Sequence, residues 1–249
     1  MWARHVTTRQ MLDVFRWDRL VPTLASWDDH DTGENDSNST NPKLGPAGEY
    51  FMAMFGSEPT RGMAYSAGRS FRADFGGVRF LMLDGRSSKA KDQVFSRADE
   101  LWIESEVNQA PGPVILVNGT QFFGAYLSIA ESVEKNAPAQ LERLVKNLSL
   151  ASVPVLFASG DIHFSEVMAI EPELLGYSTF EITSSAIHSR SIPGMQYRSH
   201  NRRRLVSTSR YNHVSMEMLS PSKTELSFEL ECLGANGDSI FSFKNQVSR

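Results

Sequence analysis

Val153-Pro154-Val155-Leu156-Phe157-Ala158-Ser159-Gly160-Asp161-Ile162-His163 is an apolar run that stops on a glycine and then presents two ligand-type side chains. The apolar part has strand length and no polar alternation, the pattern of a strand buried on both faces. Three more segments share the layout. Val78–Leu83 is followed by Asp84-Gly85-Arg86, Val114–Val117 by Asn118-Gly119-Thr120-Gln121, and Phe180-Glu181-Ile182 by Thr183-Ser184-Ser185. Helical patterns at about 96–109 and 136–149 separate the first three of these strands in chain order. Strands alternating with helices predict a largely parallel sheet. Ligands of such sheets lie beyond the carboxyl ends of the strands, where this chain carries Asp84, Asn118, Asp161 and His163.

A fifth instance of the layout stands upstream. Leu20–Ala25 reads as a buried strand running into Ser26-Trp27-Asp28-Asp29-His30-Asp31-Thr32-Gly33-Glu34-Asn35-Asp36. Carboxylates crowded this tightly repel one another, and solvent, protonation or a cation must relieve them. Histidine beside carboxylates suits zinc, iron or manganese. An acidic surface loop with an Asp cap reads the same way taken alone. Asp161 and His163, two apart on extended or turning backbone, can face one side and share a ligand. The alternative there is an Asp-capped helix through Phe164, Val167 and Met168.

The remaining chain is ordinary by composition. Its 249 residues suffice for one large domain, and the net charge of −4 argues against a nucleic-acid binder. A single cysteine, Cys232, excludes an intramolecular disulfide and a thiolate metal cage. No apolar run has bilayer length and the N-terminus has no signal-peptide core, so the default expectation is a soluble cytoplasmic chain. Met11, Leu12, Phe15 and Leu20 predict a helix over 8–20, and Tyr50, Phe51, Met54 and Phe55 another over 46–55. Residues 188–212 carry six arginines among Ser, Pro and Gly. They read as a mobile basic loop, either solvated or used for anion capture through Arg202 and Arg203. His213–Leu219, Glu225–Leu233 and Ser239–Lys244 alternate like an antiparallel meander, with a hairpin signal at Asn236-Gly237-Asp238.

The quoted motifs together, in their chain order, resemble the PhoD-like (alkaline phosphatase D) branch of the calcineurin-like metallophosphatases, from about residue 20 to past 215. The tryptophan-led acidic motif and its pairing with Gly160-Asp161-Ile162-His163 carry the resemblance. It implies an α/β sandwich of two mixed sheets flanked by helices, ending in the meander. It also implies hydrolysis of phosphate monoesters or diesters by a metal-bound hydroxide, with His30 protonating the leaving oxygen. Asp29 and His30 stand where the superfamily places an Asn ligand and its catalytic histidine. Asp161 and His163 stand where it places two histidine ligands. Asp28, Asp29, Asp161 and His163 are thus the implied metal ligands, with calcium and iron favoured over manganese or zinc, and two ions in the full-length family. Gln121 matches a glutamine that the family often has near the site. The family's earlier ligand motifs, including the metal-bridging aspartate, have no counterpart before Trp27. The expectation is therefore one domain over 1–249 that lacks its first portion. A non-catalytic metal- or anion-binding remnant is the alternative to a phosphodiesterase or phosphatase.

Overall fold

The structure is a computed structural model that describes residues 2–12, 16, 18, 22–56, 63–66, 68–126, 131–185, 187, 191–198 and 200–249. Trp2–Met11 forms helix α1 and Leu44–Phe55 forms α2. The helix expected over 8–20 is shifted towards the N-terminus. It ends at Met11, while Phe15 and Leu20 lie outside the described residues. Tertiary contacts set its frame, because Trp2 stacks on Tyr50 and His5 meets Phe55 edge-on, both on α2. The strand expected over Leu20–Ala25 is corrected too. Residues 22–28 run irregularly, and Pro22 and Thr23 are exposed. Proline offers no N–H to a ladder, and side-chain bonds hold this segment instead.

Three short strands follow: Met63–Tyr65 (β1), Phe71–Phe75 (β2) and Val78–Met82 (β3). Then come Arg97–Asn108 (α3), Val114–Val117 (β4), Val133–Asn136 (α4), Pro138–Leu148 (α5) and Val155–Ser159 (β5). Ser165–Ile170 (β6), Pro172–Leu175 (α6), Thr179–Thr183 (β7) and Arg204–Thr208 (β8) complete the first sheet. Its order is β1-β2-β3-β4-β5-β7-β6-β8. The strands β3, β4, β5 and β7 are parallel, in a register that aligns Leu81, Leu116 and Phe157. Antiparallel strands flank this block on both sides.

None of the four flanking strands was expected, and β6 and β8 replace other readings. Residues 165–170 form β6, bonded on both sides, rather than a helix capped by Asp161. The basic stretch is not wholly a loop, since Arg204–Thr208 joins the sheet edge as β8. Pairing neutralises its charge. Arg204 binds the buried Glu166 at 2.6 Å, and Arg203 binds Glu134 and Glu171 at 2.9 and 2.8 Å.

Asn212–Ser222 (β9), Glu225–Gly234 (β10) and Ser239–Ser248 (β11) form the three-stranded antiparallel meander. Gly237 takes φ 78° at the last hairpin, a conformation glycine adopts without a Cβ penalty. Alternation along β7 assigns its two faces. Phe180 packs on Phe228 and Phe243 of the meander, at centroid distances of 5.8 and 5.3 Å. Glu181 points the other way and accepts the backbone N–H groups of Phe122 and Phe123. The outcome is an α/β sandwich of two sheets with flanking helices, with Phe157, Leu156, Leu144 and Leu230 in one shared core. The parallel strands end together, so the loops after β3, β4 and β5 meet at one rim.

Candidate metal centre

The acidic loop is fastened to the end of β3. Ser26 Oγ donates to the Leu83 carbonyl at 2.5 Å, and the buried indole N–H of Trp27 donates to Asp84 Oδ1 at 2.7 Å. The Trp27 ring lies against Phe51 of α2, with the Arg69 guanidinium 4.5 Å from its centroid. Asp84 Oδ1 also accepts the N–H groups of Arg86 and Ser87. One carboxylate oxygen thereby ties the loop to the turn that follows β3.

Beyond Trp27 the chain makes a single 3-10 turn over Asp29–Thr32. The Asp28 N–H donates to Asp31 Oδ2 at 2.9 Å, and Thr32 Oγ1 donates to the Asp29 carbonyl at 2.5 Å. Asp29 is buried, and its two oxygens accept the N–H groups of His30 and Asp36 at 2.6 and 2.8 Å. The carboxylate is thus aimed by its own loop. The His30 side chain, next in sequence, is exposed at the rim.

Asp161 approaches from the loop after β5. The Gly160 N–H donates to the Gly119 carbonyl at 2.9 Å, and the Ile162 N–H closes back on the Gly160 carbonyl at 2.9 Å. That three-residue turn holds Asp161 at φ 70°, with His163 at φ 60° close behind. Tight turns with positive φ are rare and strained, and such strain concentrates at functional sites. Carboxylate oxygens of Asp28, Asp29 and Asp161 lie within 4.8 Å of one another. Gly119 packs closely on this group. A Cβ there would lie 2.6 Å from Asp28 Cγ, so a larger residue would displace the Asp28 side chain.

The electrostatics follow from crowding and burial. Burial, then the charges of Asp28 and Asp29, push Asp161 up to about 7. Burial also raises Asp28, against the opposing pull of Arg86. Arg86 is 1% exposed; its Nε donates to Asp28 Oδ1 and its Nη1 to Glu131 Oε2, while Lys89 donates to Glu131 Oε1. Burial works against the Arg86 charge, but Asp28 and Glu131 outweigh it and hold the guanidinium protonated. A second set of close oxygens comprises Asp29, Asp36 and Glu131.

These residues fit a bound cation. The donors that converge are hard carboxylate oxygens, the type that calcium, magnesium and manganese prefer. At the same rim the buried Asn118 spends its amide N–H groups on Thr120, leaving Oδ1 an acceptor with no donor.

The other sequence-derived site residues lie as follows. His163 stands two residues past Asp161 with its N–H bonded to Ser185 Oγ, and its ring belongs to neither convergent set. Gln121 is fully buried beneath the rim, donating to Glu166 and Thr183. Arg202 is exposed and pairs with Glu171. Arg203 spends its guanidinium on Glu134 and Glu171 and stacks on Phe123. Both arginines border an open groove with Tyr126 and His200. Sequence reading missed Arg86, Lys89 and Glu131 as site residues. Arg86 did carry a signal, since it follows a strand end facing an acidic loop that needs a counter-charge. Glu131 lies in no motif.

No protein-family model and no curated protein matches the sequence. Comparison with solved structures does find matches. The structure of PhoD aligns over 88% of this chain and 51% of its own length, with a TM-score of 0.65 and 12% identity. The purple acid phosphatase PPD1 of yellow lupin (Lupinus luteus) aligns over 90% of this chain and 39% of its own, with a TM-score of 0.49 and 16% identity. The chain therefore spans about half the length of the PhoD structure and shares its fold over that part.

Proposed function

We propose that this chain is a metal-dependent phosphoesterase of the PhoD-like kind, acting on phosphate monoesters or diesters. The observation that carries the reading is the convergence of Asp28, Asp29 and Asp161 at the carboxyl ends of parallel strands, with His30 exposed beside them. Asp28, Asp29 and Asp161 hold the cation, calcium or iron by the motif resemblance, with manganese or zinc as other candidates. A bound cation supplies Lewis-acid stabilisation of charge on the phosphoryl group. In this reading His30, exposed and next to Asp29 in the chain, gives a proton to the leaving oxygen. Arg86 fixes the carboxylate of Asp28, and the Trp27–Asp84 bond fixes the loop that carries Asp28, Asp29 and His30.

The test is turnover of a phosphomonoester and a phosphodiester by the full chain loaded in turn with calcium, iron, manganese and zinc. Activity that vanishes in Asp29→Ala is expected. His30→Ala should slow esters with poor leaving groups far more than a nitrophenyl ester, whose leaving group needs little protonation. One observation favours the alternative, a cation-binding domain without catalysis. The convergent set contains carboxylates alone, and the His163 ring is outside it. Manganese binding with no turnover on any ester would select that reading.

A further inference from the structure

The most unusual group at the rim is a cation already built into it. Arg86 is buried to 99% of its surface, in the middle of an acidic cluster, and belongs to the protein's own turn after β3. Its two bonded nitrogens serve different sets: Nε donates to Asp28 of the first and Nη1 to Glu131 of the second and to the Ser37 carbonyl. Its third nitrogen, Nη2, is buried with no acceptor. Glu131 has both oxygens engaged, Oε2 by Arg86 and Oε1 by Lys89.

We propose that Arg86 stands in for a second metal ion, fixing Asp28 and Glu131 so that the centre takes one divalent cation. The inference rests on the metal-binding reading above and adds the number of ions and the reason for it. Charge placement supports it first. Arg86 meets Asp28 and Glu131, and Lys89 meets Glu131, whereas Asp29 and Asp161 have no fixed cation among the ion pairs of the described residues. Those two carboxylates are the complement of one divalent ion.

Ligand availability supports it independently. The second convergent set needs Glu131 to hold an ion, and both Glu131 oxygens are spent on guanidinium and ammonium donors. Asp36, the remaining member, is exposed and gains little from a low-dielectric setting. A divalent ion there would also lie against a buried guanidinium that cannot lose its proton. The first set keeps Asp29 and Asp161 clear of any fixed cation among the ion pairs of the described residues. Arg86 engages one oxygen of Asp28 and leaves the other for a ligand bond.

The test counts ions on the 249-residue chain. Apo protein is titrated with manganese while free manganese is followed by electron paramagnetic resonance, and the desalted protein is assayed by elemental mass spectrometry. One manganese per chain is expected, none in Asp29→Asn, and one in Arg86→Lys, which keeps the charge. Arg86→Met should admit a second ion, seen as a doubled stoichiometry and a spin-coupled dinuclear signal. Two ions bound to the wild type, or a folded Arg86→Met that still binds one, would overturn the assignment. The wild-type count decides the matter should Arg86→Met not fold. No bound manganese in the wild type would instead overturn the metal-binding reading itself.

Discussion

Replacing Trp27 by Phe tests whether the candidate site is built by the fold or only carried on its surface. Trp27 is 1% exposed, and its indole N–H gives Asp84 one of the three hydrogen bonds that Oδ1 accepts. Phenylalanine keeps an aromatic face for Phe51 and Arg69 but removes that donor. Losing a buried hydrogen bond to a charged acceptor costs about 1.5–3 kcal/mol. The ring shrinks by a pyrrole portion in a buried place, and the void adds roughly 1–2 kcal/mol. The sum, about 2.5–5 kcal/mol, is a large share of the 5–15 kcal/mol that keeps a typical domain folded. Urea unfolding in chelator, followed by far-ultraviolet circular dichroism, reads this directly. The same variant should bind manganese more weakly, because Asp28 and Asp29 are the next two residues along the loop. A double-mutant cycle with Asp84→Asn isolates the bond, and coupling of about 1–2 kcal/mol is expected. A loss below about 1 kcal/mol with manganese affinity unchanged would refute the claim that Trp27 holds the loop in place.

Two further outcomes follow from the geometry. Gly119→Ala would set a methyl 2.6 Å from Asp28 Cγ and displace the carboxylate that Arg86 holds, so manganese affinity should fall about tenfold or more by calorimetry; unchanged affinity would show that Asp28 is not a ligand. Glu181 is fully buried, and burial raises its pKa from 4.5 to about 7. A folded value above the unfolded one means that the native state holds the proton more tightly. Stability is therefore greatest below about pH 4.5 as far as this group is concerned, and falls as pH rises towards 7, by roughly 3 kcal/mol in all. Glu181→Gln should lose that slope, so the stability gap between variant and wild type should change by this amount between pH 4.5 and 8 in urea titrations. Parallel curves would count against a raised Glu181.

The strands of the parallel block were legible because burial on both faces leaves a plain apolar run. Val114–Val117 has no polar position to confuse the reading, and Val155–Ser159 has none before its last residue. The meander was legible for the opposite reason, a clean alternation along Glu225–Gly234. What failed was sequence whose role depends on distant partners. Leu20–Ala25 reads as an apolar strand, yet its described part, residues 22–25, makes no ladder, and Ser26 and Trp27 just after it are pinned to another loop. The β8 segment, Arg204–Thr208, reads as a charged loop, yet Arg204 meets a buried Glu166 that lies 38 positions earlier. Local pattern cannot price a charge whose neutralising partner is elsewhere in the chain.

The candidate site shows the same division. Asp28 and Asp29 were found as carboxylates crowded in one loop, and Asp161 as a carboxylate after a strand. The rule that parallel strands end at one rim accounts for Asp161; Asp28 and Asp29 reach it because Ser26 and Trp27 fasten their loop to the end of β3. The expectation that Asp161 and His163 share a ligand rested on extended backbone, in which side chains two apart point the same way. Here Asp161 sits in a three-residue turn at φ 70° and His163 follows at φ 60°. Positive φ takes both residues out of the extended frame on which that spacing depends. The carboxylate of Asp161 turns towards Asp28 and Asp29, while the His163 ring stays out of that set. Gly160 precedes this turn but has no positive φ itself. The strain falls on the two residues with ligand chemistry, and that placement is invisible to any count along the sequence.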